Sequence, residues 1–130
     1  MAGQIPKPLI DDDSRPYWEG LKRGELLIQR CGDCNQSIFY PRALCPHCFS
    51  ERVSWEKASG RGRIYSYTVV HRAFGPYETP YVVAIVELEE GVRMMTRILG
   101  DREKIAIDNR VEVTFEQVDD DLTLPYFQLA

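Results

Sequence analysis

The sequence predicts a mostly β chain in three parts: an N-terminal helical segment over residues 1–24, a four-cysteine ribbon over residues 25–58 and a five-stranded barrel over residues 59–130. Three observations carry this expectation. Two Cys-x-x-Cys pairs stand close together in the first half of the chain. A proline-marked helix start with a glycine stop precedes them. Beyond Gly62 the chain breaks into runs rich in Val, Ile, Thr and aromatic residues, which is the composition of strands.

The helix is read from Asp11-Asp12-Asp13-Ser14 before Pro16, because acidic residues, a serine cap and a first-turn proline mark a helix start. Gly24 marks its end. Tyr17, Trp18 and Leu21 fall on one side, and Lys22 and Arg23 occupy the last turn, where cations suit the helix dipole. So short a helix needs a surface to lie on, and its aromatic side is expected to pack rather than to hold a cofactor.

The ribbon is read from Cys31-Gly32-Asp33-Cys34 and Cys45-Pro46-His47-Cys48, with ten residues between the pairs. Each short knuckle points two sulfurs at one centre. Cys31, Cys34, Cys45 and Cys48 are therefore expected to hold one structural zinc in a rubredoxin-like zinc ribbon, with no position left for a catalytic water. Iron satisfies the same ligand count. Disulfides belong to exported chains, and Met1 to Asp13 shows no basic start, apolar run or cleavage-like segment. A redox Cys-x-x-Cys is normally a single pair opening a helix, whereas here two pairs have strand-like flanks. His47 is expected to face solvent or to support the site from outside, since four thiolates already fill the coordination sphere. Leu26-Leu27-Ile28, residues 37–40 and Trp55 mark the ribbon strands. With so few apolar side chains the ribbon needs its metal to fold.

Gly60 and Gly62 lead into strands expected at residues 64–72, 81–88, 92–99, 110–118 and 123–129. Five strands in about seventy residues is the count of an OB-fold barrel. Val111, Val113 and Phe115 alternate with polar neighbours, so that strand has one dry face. Residues 81–86 are apolar without alternation and are expected to be covered on both faces, by the helix, the ribbon or a partner protein. Glu89-Glu90-Gly91 makes a tight hairpin, and residues 100–109 leave little room for a helix.

Charge excludes some functions. The chain carries 16 basic and 20 acidic residues, and its net charge of -4 lies wholly in residues 59–130. An acidic protein lacks the broad basic field that gathers nucleic acid. No apolar stretch approaches the ~20 residues that span a bilayer, so the expectation is a soluble, cytoplasmic protein with no membrane partner.

Several segments in order resemble a known family: Tyr17-Trp18-Glu19-Gly20-Leu21, Leu27-Ile28-Gln29-Arg30-Cys31, the two knuckles, Gly60-Arg61-Gly62, the run from Tyr65-Ser66-Tyr67 to Val70-His71-Arg72, Pro80-Tyr81-Val82-Val83-Ala84 and Leu124-Pro125-Tyr126-Phe127. The chain resembles the acyl-CoA-associated zinc-ribbon and OB-fold proteins, long catalogued as a domain of unknown function and often encoded beside thiolases. The resemblance implies a non-catalytic partner of a thiolase or related condensing enzyme that helps to hold or pass on a CoA thioester. Some relatives pair instead with hydratase- or aldolase-like proteins. Degenerate ribbons occur in that family, but all four cysteines are present here.

A CoA ligand asks for cations at its phosphates, a flat surface for adenine and an apolar slot. Arg61, Arg63 and Arg72 are candidates for the first, and Tyr65, Tyr67, Phe74 and Tyr77 for the second and third. Strand parity puts Arg63, Tyr65, Tyr67, Val69 and His71 on one face. Barrel-core tyrosines and solvated arginines are the plainer alternative. The loop holding Phe74 and Tyr77 is a candidate docking surface. Single-stranded nucleic-acid binding is the alternative function, which an OB barrel with stacking tyrosines permits and the charge opposes. A stand-alone enzyme finds no support: no nucleophile–base arrangement, phosphate loop or open metal site is visible, and His71 lacks a second catalytic group.

Overall fold

The computed structural model describes residues 8–72 and 78–130. Helix α1 (Arg15–Lys22) carries Pro16 in its first turn. Ser14 stands at the N-cap position but does not cap the helix: its hydroxyl donates to Asp11 Oδ1 (2.8 Å) and accepts from the Trp18 indole N–H (3.2 Å). The serine thus fixes the indole. At the other end Gly24 takes φ +76°, the Glu25 N–H reaches the Gly20 carbonyl (2.9 Å) and the Gly24 N–H that of Leu21 (3.1 Å). These two bonds make a Schellman stop, which only a residue tolerant of left-handed backbone closes cheaply.

Strands β1 (Leu27–Cys31), β2 (Ser37–Ile38) and β3 (Val53–Lys57) form an antiparallel ribbon sheet in the order β2-β1-β3. The inter-knuckle strand stops at Ile38 instead of reaching residue 40. Phe39 and Tyr40 leave the sheet to pack edge-on against Tyr17, with ring centroids 5.6 and 5.8 Å away. Gly20 lets the helix come down on β1, since a Cβ there would lie 2.8 Å from Leu27 Cγ. The aromatic side of the helix is therefore a packing surface, as expected.

Strands β4 (Arg61–Val70), β5 (Tyr81–Leu88), β6 (Arg93–Leu99), β7 (Arg110–Gln117) and β8 (Thr123–Leu129) close into a barrel in the order β4-β5-β6-β8-β7. A single 3-10 turn, Arg102–Lys104, fills the space too short for a helix. β4 begins three residues before the expected start, because Gly62 pairs with both Leu88 and Val111. A Cβ at Gly62 would collide with the Glu87 carbonyl. Strand pairing is short at two seams of the barrel: β4 pairs with β7 over Arg61–Arg63, and β6 pairs with β8 at Ile98 with Phe127 and Leu99 with Gln128.

The core is continuous across these parts. Ile64, Val82, Val86, Ile98, Val111 and Phe127 fill the barrel, and Tyr17, Trp18 and Leu21 of the helix join them together with Leu26, Ile28 and Ala58 from the base of the ribbon. The outer end of the ribbon has a separate small cluster of Cys31, Ile38 and Cys45, flanked by Cys34 and Val53. β5 alternates after all: Val82, Ala84, Val86 and Leu88 are buried, while Tyr81, Val83 and Ile85 are half-buried on the outside. The helix packs chiefly on β1 and β8. No helix among the described residues is long and apolar enough to cross a membrane.

Candidate metal centre and ligand face

The two knuckles repeat one set of backbone bonds. In the first, the Asn35 N–H reaches the Cys31 carbonyl (3.0 Å) and the Cys31 N–H that of Gln36 (3.0 Å); in the second, the Phe49 N–H reaches Cys45 (2.8 Å) and the Cys45 N–H reaches Ser50 (2.9 Å). The residue after each second cysteine is left-handed, with φ +63° at both Asn35 and Phe49. Backbone N–H groups also point at sulfur, from Asp33 and Cys34 to Cys31 Sγ (3.4 Å each) and from His47 to Cys45 Sγ (3.3 Å). Such donors stabilise thiolate. Led by the Cys34 N–H, they hold the Cys31 thiol at about 6, well below its ordinary range.

The four sulfurs lie within 4.8 Å of one another. Cys31 and Cys48 are 3.5 Å apart across the knuckles, and Cys34 and Cys45 are 3.6 Å apart. A zinc–sulfur distance of about 2.3 Å puts tetrahedral sulfurs about 3.8 Å apart, so this set fits one ion, whereas a disulfide needs about 2.05 Å. All four cysteines are free thiols in the structure. They would hold a structural zinc, with no fifth protein group at the centre among the described residues: His47 is exposed and meets the cluster only through its backbone. Asp33 latches the knuckles together, accepting from Arg52 Nη1 (2.9 Å) and from the Ser50 hydroxyl, while the Gly32 N–H donates to the Arg52 carbonyl (2.6 Å).

The face that strand parity assigned to Arg63, Tyr65, Tyr67, Val69 and His71 is divided. The β4–β5 register shifts between Ile64 and Ser66, so Arg63 stands opposite Glu87 on the outer face, whereas Tyr67 and Val69 stand opposite the inward Ala84 and Val82. A β-bulge explains the switch. Tyr65 stays outside, 44% exposed, with the Arg93 guanidinium 3.8 Å from its ring centroid. Tyr67 lies beyond the end of the β4–β7 seam and is 37% exposed despite its inward parity.

The arginines have carboxylate partners. Arg61 pairs with Glu89 (3.1 Å), and Arg63 bridges Glu87 (3.0 Å) and Asp108 (2.7 Å). Hydrogen bonds from Arg63, then from Arg93, hold the Glu87 carboxyl below its usual range, and Arg61 does the same for Glu89. A cavity of about 670 Å³ beside these residues is lined by Arg61, Arg63 and Arg110, offset by Glu87, Glu89 and Asp108. His71 and Arg72 are exposed just past β4. Phe74 and Tyr77 lie outside the described residues. Sequence reasoning missed Arg93, although the hairpin at residues 89–91 already places it across from Glu87.

Residues 18–54 match the model of the ChsH2 rubredoxin-like zinc ribbon domain, and residues 55–116 match that of the ChsH2 C-terminal OB-fold domain. A probable enoyl-CoA hydratase alpha subunit from Thermomonospora curvata is 41% identical over 127 residues, which are 96% of this chain and 40% of that one. The chain thus spans well under half of that relative's length. A DUF35 domain-containing scaffold protein from Methanocaldococcus jannaschii is 38% identical, covering 80% of this chain and 77% of its own. The benzoylsuccinyl-CoA thiolase subunit BbsA of Geobacter metallireducens is 29% identical over 85% of this chain and 67% of its own. Among solved structures, a chain of the Ltp2-ChsH2(DUF35) aldolase superposes with a TM-score of 0.87 at 40% identity, over 95% of this chain and 98% of that one. With a zinc-ribbon model and an OB-fold model matched in this order and a DUF35 relative 38% identical over most of both chains, the chain belongs to the DUF35 family of zinc-ribbon and OB-fold proteins.

Proposed function

We propose that this chain is a non-catalytic accessory protein of the cytoplasm that carries a structural zinc, binds acyl-CoA and docks on a thiolase or related acyl-CoA condensing enzyme. One observation carries the reading: a 40% identical chain of nearly the same extent is part of an aldolase assembly. The thiolase subunit BbsA and the scaffold proteins of the same family support it. A closed four-sulfur site has no room for a reacting water, which supports a structural role for the metal.

The ligand surface proposed is the outer end of β4 and the segment after it. Tyr65 and Tyr67 supply flat faces, and His71 and Arg72 lie where phosphates meet a cation outside the carboxylate pairs. Arg61 and Arg63 contribute to phosphate binding only by exchanging a carboxylate for a phosphate, so the isolated chain is expected to bind CoA thioesters weakly and to bind them better beside its enzyme. Phe74 and Tyr77 remain the proposed docking loop. The same ion pairs disfavour nucleic acid, which needs cations free to displace counterions.

Native-level co-purification tests the partner, and calorimetry with acetyl-CoA tests the ligand. The expected result is recovery of a thiolase-, hydratase- or aldolase-class subunit, with acetyl-CoA affinity higher for the complex than for the chain alone and reduced by Arg72→Ala. Recovery of no such enzyme would defeat the docking reading. An affinity unchanged by Arg72→Ala, Arg61→Ala and Arg63→Ala would defeat the ligand surface.

A further inference from the structure

The two knuckles share their hydrogen bonds and their left-handed fifth residue but fill that position differently. The first uses Asn35 and the second Phe49, both at φ +63°. Asparagine visits this region readily, whereas a bulky aromatic residue there is strained. Strain of this kind persists where something else requires the side chain. Nothing among the described residues requires it: the Phe49 side chain belongs to neither core cluster and is 76% exposed. Leu44, one residue before the same knuckle, is 46% exposed as well. The second knuckle therefore presents an aromatic and an aliphatic side chain to solvent at a place that favours a small polar residue or glycine.

We propose that Phe49 is the anchor through which the ribbon tip seats in an apolar pocket of the acyl-CoA enzyme subunit, a second contact apart from the loop at residues 73–77. This rests on the accessory reading above. A protein occupant is favoured over a small molecule because the knuckle is a convex turn, and exposed aromatic knobs bind by filling a partner's pocket. An enzyme subunit is favoured over a second copy because the unit recurs as part of a longer hydratase alpha subunit and as the companion chain of an aldolase.

Two experiments decide it. With p-benzoylphenylalanine at position 49 in the full chain, irradiation in cells is expected to join the protein to the same enzyme subunit that co-purifies with the wild type; an adduct with a second copy, or none, overturns the proposal. Phe49→Asn, which gives the second knuckle the residue type of the first, is expected to raise the melting temperature of the zinc-loaded protein by about 3 °C or more and to weaken the enzyme complex by about tenfold or more. A structural role for Phe49 gives the opposite sign in the melt. If the wild type recovers the enzyme and Phe49→Asn recovers it equally well, the anchor fails while the accessory reading stands. If the wild type recovers no acyl-CoA enzyme, the reading fails and the anchor with it.

Discussion

At its barrel end the ribbon sheet is held by Leu26, Ile28 and Ala58, which share one apolar core with the helix and the barrel. Three residues farther along β1 from Ile28, the sheet reaches the cluster of Cys31, Ile38 and Cys45, which contains too little apolar surface to hold a fold. One end is stabilised by burial, in proportion to area removed from water. The other has four sulfurs placed to hold one ion, and a zinc there would stabilise it by ligation, which is all or none. The contrast teaches that one continuous sheet can have an apolar base and a four-sulfur tip, so loss of metal is expected to be felt first at the tip, whereas the sequence predicts a ribbon that depends on metal throughout.

Removing the metal is the harshest way to break this comparison. Structural zinc sites of this kind are worth about 10–16 kcal/mol of apparent binding at pH 7. Chelation, Cys31→Ser or Cys48→Ser is therefore expected to release one zinc per chain and to expose the amides of residues 31–53 to hydrogen exchange, with the barrel amides still protected. A red protein would mean iron. Global unfolding on chelation would erase the distinction between base and tip. The converse experiment is Phe127→Ala, a wholly buried side chain at the centre of the shared core. It should cost about 3–5 kcal/mol and lower the melting of barrel, helix and ribbon base together, while metal content in the folded protein stays at one.

The smallest effect concerns charge. Glu87 lies between Arg63 and Arg93, and its folded-state pKa is depressed, first by the Arg63 hydrogen bond. A depressed carboxylate contributes stability that is fully present above its unfolded pKa and is lost as pH falls through the lower folded value. Acid titration of the melting temperature below about pH 4.5 should therefore be shallower in Glu87→Gln than in the wild type, with no change at the ribbon tip. Identical titrations would show the pair to be idle.

Features set by local chemistry were legible in the sequence. The cysteine spacing named the four sulfurs that the structure brings together, and the bounds of β5 and β8 follow from their flanking turns. Features set by distant partners were not. Nothing near Tyr65 announces a bulge, because an extra residue in one strand shows only against its neighbour's register. The partner of Arg63 at Asp108 is 45 residues away. Ser14 carries a cap signature, yet the indole four residues later competes for its hydroxyl and wins.

The narrow seams of the barrel bear on how it forms. β4, β5 and β6 are successive antiparallel strands, so their pairing closes short loops and is reached early by a searching chain. The β7–β8 hairpin is equally local. The strand pairing that joins these pieces is short, Arg61–Arg63 with β7 and two parallel pairs of β6 with β8, extended by bonds such as Val113 N–H to the Gly60 carbonyl and the Thr96 hydroxyl to the Pro125 carbonyl. Those contacts span long stretches of sequence and repay little until the core around Phe127 is in place. Barrel closure is thereby expected to follow both local pieces, and the finished barrel is expected to part first at the same seams.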